Sequence, residues 1–427
     1  MKTNEKDTQQ GVVPALRFPE FQNAGEWVYL GGNKIFEQIS NRKHSSNLPI
    51  LAISQEHGAV PRDLIDYKVI VSDEGIENYK VVEIGDFIIS LRSFQGGIEY
   101  SAYNGICSPA YIVLRKRLDV DNQFFKYYFK SRAFIRDLNE NLEGIRDGKM
   151  VSYKQFSEIL LPIPSISNKA EQQKIAECLA SIDALIKAAE NKIDELKAHK
   201  KGLMQQLFPA EGKTVPALRF PEFQNAGEWT KIPLSQIGEV LQGYGFPETY
   251  QGKLSGKYPF YKVSDISKAV QGGSNFISSA ANYIDDEELD ILKIKTIPSG
   301  TTIFARIGEA IRLNRRIVTT QECIIDNNTV GVKAITEKAI DLFMYYSLLQ
   351  IDLIDFAGGV VPAVTKFAIE NIPIYCPPTK SEQQKIADCL SSVDDLITAQ
   401  TNRLEALRNH KKGLMQQLFP NVNNREE

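Results

Sequence analysis

The chain is poor in the residues that most often carry chemistry: 427 residues include five cysteines, four histidines and two tryptophans. Cys107, Cys178, Cys323, Cys376 and Cys389 make no Cys-x-x-Cys pair and no metal-ligand spacing. Neither a zinc site nor a disulfide scaffold is expected. The histidines do not cluster, and His199 and His410 occupy equivalent places in a repeat. There is no run of about 18 apolar residues, so no membrane-spanning helix is expected. The opening segment MKTNEKDTQQ has no apolar core, so no signal peptide is expected. With the unpatterned thiols, this places the chain in a reducing cytoplasm. There is no Gly-rich nucleotide loop with its lysine and no Gly-x-Ser-x-Gly elbow. An Asn/Asp-Pro-Pro-Tyr tetrapeptide is also lacking: Tyr375-Cys-Pro-Pro-Thr379 has neither the leading acid or amide nor the trailing aromatic. No catalytic residue, cofactor or metal is expected. Excess positive charge is missing too, since 50 Lys and Arg against 53 Asp and Glu leave a net charge of −3. A protein that holds nucleic acid by charge alone is basic overall. Any such contact here must come from local positive charge.

What the chain does have is internal duplication. Residues 13–27, VPALRFPEFQNAGEW, recur unchanged at 215–229. A second repeat opens with EQQKIA at Glu171 and Glu382 and closes with HKKGLMQQLFP at His199 and His410. The order is shared block, variable globule, shared helix, then the same again. The expected parts are a disordered tail (1–12), a first globule with its block (13–167), a long helix (168–209), a linker with the second block (210–229), a second globule (230–378), a second long helix (379–420) and a tail (421–427). Length allows two or three domains with proper cores. Sequence change confined to the globules suggests that the shared parts meet one kind of partner twice.

Both shared helices carry a narrow apolar stripe with alternating steps of four and three. In the first it runs through Ile175, Leu179, Ile182, Ile186, Ala189, Ile193, Leu196, Leu203 and Leu207, interrupted by Lys200. In the second it runs through Ile386, Leu390, Val393, Ile397, Leu404, Leu407, Leu414 and Leu418, interrupted by Gln400 and Lys411. This is a coiled-coil seam, and neither helix can bury it alone, so the two copies are expected to pack together. Asn168-x-x-Glu171 and Thr379-x-x-Glu382 read as capping boxes, and Pro209 and Pro420 as stops. A helix of about 37 residues spans roughly 55 Å.

The globules read as mixed α and β. Strands are expected near 49–54, 86–92 and 110–115 and a helix over 122–138 in the first. The second repeats the plan, with strands near 258–263, 301–306, 316–320 and 329–334 and a helix over 339–349. Trp27 and Trp229 read as core anchors. Several loops are candidates for DNA contact. Arg92-Ser-Phe-Gln-Gly-Gly97 offers donors from Arg92, Ser93 and Gln95, with Gly96 and Gly97 permitting close backbone approach. An ordinary polar turn fits the same residues. Arg146 and Lys149 lie in a second glycine-containing loop. In the second globule, Arg306, Arg312, Asn314, Arg315 and Arg316 stand within eleven residues against one glutamate. Arginine forks bind phosphate or guanine, although charge runs are also ordinary solvated faces. Thr365 and Lys366 offer phosphate contacts, and Lys262 and Ser264 are a weaker pair near a strand end.

Over nearly its whole length the chain resembles the specificity subunit of a type I restriction–modification system. The resemblance is carried by EQQKIA and KKGLMQQLFP in two variable-globule-plus-helix repeats, by GDFIISLRSFQGG (85–97), and by IFARIGEAI (303–311) followed by Asn314-Arg-Arg and Ile325-Asp-Asn-Asn328. It implies two mixed α/β target-recognition domains separated by two long helices that form an antiparallel coiled coil, an α+β architecture with a pseudo-two-fold repeat. Each domain would read one half of a bipartite double-stranded DNA target. Two methyltransferase (modification) subunits would bind the repeated regions, restriction subunits would join that core, and S-adenosylmethionine would belong to the methyltransferase. The segment Val361-Pro-Ala-Val-Thr-Lys-Phe departs from the family's more usual Val-Pro-Ala-Leu-Asn. A coiled-coil scaffold without a DNA role and a self-contained restriction–methyltransferase are the alternatives.

Overall fold

The computed structural model describes residues 11–44, 47–65, 75–140, 151–164 and 169–420. The chain forms two compact units. The first holds residues 1–187 and 405–427, and the second residues 188–404. Each unit therefore contains one globule, the start of one long helix and the end of the other.

The long helices are Lys169–Leu207 and Lys380–Leu418, 39 residues each. In the second unit the end of one runs antiparallel to the start of the other. Leu196 and the half-buried Leu203 pack with Val393 and Ile397, and Leu207 packs with Ile386 and Leu390. In the first unit Leu414 and Leu418 pack beside Ile175 and Leu179 in the same way. Ile182, Ala189, Ile193 and Leu404 are buried, while Ile186 and Leu407 are half-buried. The expected seam is thus an antiparallel coiled coil.

Each globule is closed where the chain arrives and leaves. Val28–Gly31 pairs antiparallel with Leu160–Ile163, and Thr230–Pro233 pairs with Pro373–Cys376 in the same manner. The proline-rich exits are therefore edge strands, where a missing N–H is tolerated. In the first unit a four-stranded antiparallel sheet has the order Phe36–Ile39, Ile112–Lys116, Phe87–Ile89, Glu99–Tyr100. The expected helix over 122–138 is broken into Asn122–Tyr128 and Arg132–Glu140. Ser131 accounts for the break, because its hydroxyl accepts the Phe134 N–H at 3.2 Å and starts a new helix. Phe36, Phe87, Phe125 and Phe129 pack edge-on and tilted in the core. In the second unit a five-stranded sheet runs Gly238–Gln242, Thr329–Ala334, Thr302–Ala305, Arg316–Thr319, Phe276–Ile277. A three-stranded sheet is centred on Tyr258–Tyr261, and the helix Asp341–Leu349 packs on the larger sheet.

Candidate functional site

The repeated residues form one structural joint, built twice. In the first unit the Arg17 guanidinium donates to both oxygens of Glu171 at 2.7 Å, and the Trp27 indole N–H donates to the same carboxylate at 3.2 Å. Arg219, Glu382 and Trp229 repeat this at 2.7, 2.8 and 3.1 Å. Both tryptophans and both glutamates are buried. The next glutamine of the motif turns to the globule: Gln172 accepts the Asp121 N–H at 2.8 Å and Gln383 the Ile340 N–H at 3.0 Å. The lysine turns back to the block, Lys174 to Glu20 and Lys385 to Glu222. This corrects the capping-box reading. Thr379 does cap, accepting the Glu382 N–H at 3.3 Å, but the Glu382 carboxylate is engaged by Arg219 and Trp229. Asn168 lies outside the described residues.

In the first unit Arg92-Ser-Phe-Gln-Gly-Gly97 forms a short helix, Ser93–Gly96, gripped from three sides. Gln55 donates to the Arg92 carbonyl, Asn139 to the Phe94 carbonyl and Lys130 to the Gly96 carbonyl, at 3.0, 2.8 and 2.9 Å. Arg92 and Gln95 are exposed and Gly96 is half-buried. Two expected contacts face inward instead. The Ser93 hydroxyl accepts the Ser90 N–H at 2.8 Å and is buried. Gly97 is needed for packing: its φ is 82°, and a Cβ there would stand 1.9 Å from the Phe129 carbonyl oxygen. Arg146 and Lys149 lie outside the described residues.

In the second unit three segments converge on Arg306. Its N–H donates to the Asn328 carbonyl and its carbonyl accepts from the Val364 N–H, both at 2.9 Å. The Gly308 N–H donates to the Pro362 carbonyl at 2.8 Å. On the other flank the Asp326 N–H donates to the Tyr261 carbonyl at 3.0 Å, which brings Lys262 beside the same turn. The exposed Asn327 and Asn328 thus sit between Lys262 and Arg306. Asn327 was not among the expected contacts, although the run Ile325-Asp-Asn-Asn328 marked the segment. Arg312 is exposed and paired with Glu309 at 3.0 Å, and Lys366 with Glu370 at 3.6 Å. Arg315 is half-buried without a carboxylate partner among the described residues. Ser264 is exposed. Thr365 is exposed and caps the helix Lys366–Glu370 through the Ala368 N–H.

Two members of the arginine run are corrected. Arg316 is 2% exposed and donates to the carbonyls of Asn314 and Ile351 at 3.1 and 2.7 Å. Burial pulls its pKa down to about 10, and its guanidinium lies 5.6 Å from the Phe304 ring centre. The residues before it are polar, but it opens the strand Arg316–Thr319, which is buried throughout inside the five-stranded sheet. Asn314 adopts φ 50° and donates to the Ile351 carbonyl at 3.0 Å, so it closes a turn. Among the described residues no His/Cys/Asp/Glu group could hold a metal ion, and no helix is long and apolar enough to cross a membrane.

The model of the type I restriction modification DNA specificity domain matches twice, over residues 20–198 and 226–409. A putative type I restriction enzyme specificity subunit, MjaX of Methanocaldococcus jannaschii, is 25% identical over 73% of this chain and 67% of its own length. The MjaVIII specificity subunit of the same organism is 22% identical over 79% of each chain. In fold, the chain is similar to the crystal structure of a type I restriction–modification S subunit from M. genitalium. The TM-score is 0.55 and the identity 14%, covering 96% of this chain and 100% of the other. A further structure, from work on assembly and conformational transition of the type I system, has a TM-score of 0.52 at 16% identity, covering 92% and 97%. Two matched copies of the domain cover most of the sequence, and the chain belongs to the family of type I restriction–modification specificity subunits.

Proposed function

We propose that this chain is the non-catalytic, DNA-reading subunit of a cytoplasmic type I complex. Each globule reads one half of a bipartite, asymmetric target, and the repeated joints carry two methyltransferase subunits. Restriction subunits join through that assembled core. The observation that carries this reading is the contrast between repeated and unrepeated surface. Arg17, Trp27 and Glu171 are alike in both copies for an internal reason, since they hold the helix to the block. Val13, Leu16 and their copies Val215 and Leu218 are alike although they are 38 to 51% exposed. Surface identity without an internal use fits one partner type bound twice. The loops around Arg92 and Arg306 differ in sequence and construction, which fits two different half-sites. In the first globule the contact set is Arg92, Gln95 and the Gly96 backbone, with Arg146 and Lys149. In the second it is Lys262, Ser264, Arg306, Arg312, Arg315, Thr365 and Lys366.

The test is co-expression with the methyltransferase subunit of its own system, followed by mapping of methylated bases across the host genome. One bipartite motif with unlike halves is expected. A stable complex that leaves the genome unmethylated would favour a scaffold role. Binding of S-adenosylmethionine by the isolated chain would contradict the non-catalytic assignment.

A further inference from the structure

Residues 358–363 form a hairpin whose tip is apolar and fully outside the core. Gly358 and Ala363 exchange N–H to carbonyl bonds at 3.0 and 3.1 Å. Val360 is 104% and Val361 63% exposed. The hairpin is braced from the side as well, by a bridge between Ile307 and Ala363 and by the Gly308 to Pro362 bond. Turn geometry does not explain the valines. Tips are ordinarily made of Gly, Asn, Asp, Ser or Pro, and Gly359 already supplies the positive φ of 89°. Core packing does not explain them either, because Val364 fills the core at the hairpin's base and is 1% exposed.

We propose that Val360 and Val361 read a thymine 5-methyl group in the half-site bound by the second globule. The proposal rests on the DNA-reading role above and names the chemistry of one contact within it. The hairpin is hydrogen-bonded to the segment that carries Arg306 and Arg315, and it leads directly into Thr365 and Lys366. These are groups suited to phosphate, which position a reader without specifying sequence. The valine side chains at the tip have no donor or acceptor to offer. Of the features that base pairs present in the major groove, it matches only the thymine methyl. A rigid tip suits this use, since little side-chain or backbone freedom is lost on contact.

The experiment uses the full complex of this chain with its methyltransferase subunits and duplexes carrying the mapped target. Each thymine of the second half-site is replaced in turn by uracil, which removes only the methyl group. At one position the parent complex is expected to lose affinity about fourfold, the worth of one methyl-sized apolar group. The Val360→Gly/Val361→Gly and Val360→Ser/Val361→Ser complexes, which keep no methyl group at the tip, bind the thymine duplex more weakly and show little further loss with uracil at that position. Equal uracil penalties in parent and variants would assign the methyl to another residue and overturn the proposal. A second half-site without thymine, or uracil duplexes bound as tightly as thymine ones, overturns it as well while leaving DNA reading intact. Failure of the parent complex to prefer its mapped target over unrelated duplex would instead overturn the DNA-reading role itself.

Discussion

Lys200 and Asp394 form an ion pair of 2.6 Å inside the helix seam of the second unit, and Lys411 and Asp183 form its counterpart at 2.5 Å in the first. Each aspartate also accepts a tyrosine hydroxyl from its globule, Tyr346 at 2.6 Å and Tyr127 at 2.9 Å. Each lysine lies 5.4 Å from the centre of that same ring. The two lysines that interrupt the apolar stripe therefore tie helix to helix and helix to globule. A polar residue in a seam gives up stability and fixes register. Burial and the neighbouring carboxylate both push the tyrosine hydroxyls up, so they stay protonated as donors.

Removal of one partner is expected to cost more than removal of both. Lys200→Ala leaves the Asp394 carboxylate in a nearly closed seam and should destabilise the second unit by about 2 kcal/mol, below the range for fully buried pairs because some solvent reaches it. Lys200→Leu combined with Asp394→Leu should recover most of that loss. Urea unfolding of the full chain checks both variants. A double variant less stable than Lys200→Ala would show that the pair stabilises the seam outright.

The glutamates of the two joints should behave as copies. Glu171→Ala strands a guanidinium that is 6% exposed, and Glu382→Ala one that is 7% exposed. Each should cost about 2–3 kcal/mol, less than the penalty for a fully buried charge, because the guanidinium keeps its bond to the Gly25 or Gly227 carbonyl near the surface. Thermal unfolding should show losses of similar size in both variants. A large loss in one and none in the other would mean that the shared geometry does not carry shared energetics.

The parts of this molecule most legible in the sequence were those governed by period and repetition. The stripe from Ile175 to Leu207 has a spacing that only a helix pair can bury, and the helices follow it. The strands at Thr329–Ala334 and Arg316–Thr319 were visible as β-branched runs. Facing was less legible. Ser93 and Arg316 have the right chemistry for DNA, but whether a side chain points inward depends on which strand or loop lies behind it. For Arg316 that is the carbonyl of Ile351, 35 residues away in sequence. The meeting of Arg306 with Asn328 and Val364 is likewise a long-range backbone event without a local signature. The Glu382 carboxylate had two uses open to it, and only the fold brings Arg219 close enough to decide between them.

That distinction predicts different effects for two adjacent arginines. Arg315→Ala should weaken DNA binding by the assembled complex and lower the slope of log affinity against log salt by about 0.9 if it neutralises one phosphate. Arg316→Met should leave that slope unchanged and lower thermal stability, because it takes the guanidinium donor from the Asn314 carbonyl and leaves the Ile351 carbonyl with Asn314 alone. Binding isotherms at several salt concentrations separate the two. A reduced slope for Arg316→Met would return that residue to the DNA surface.

Asp137 should make the first unit sensitive to mildly acidic pH. It is 8% exposed in the helix Arg132–Glu140, and burial pushes its carboxyl up to about 6, against the opposing pull of Arg136. A carboxyl whose pKa is raised on folding binds its proton more tightly in the folded state. Its contribution to stability is therefore fully present below its ordinary value near 4 and is lost as pH rises through about 6. Asp137→Asn mimics the protonated form and has no charge to lose. The variant should match the parent below pH 4 and exceed it by about 1–2 kcal/mol at pH 7.5, a figure reduced from the full shift for the nearby guanidinium. The quantity to measure is the difference in unfolding free energy between variant and parent from pH 4 to 8. A difference that stays flat across that window would mean that Asp137 is charged at no net cost in the folded unit, and that Arg136 fully offsets its burial.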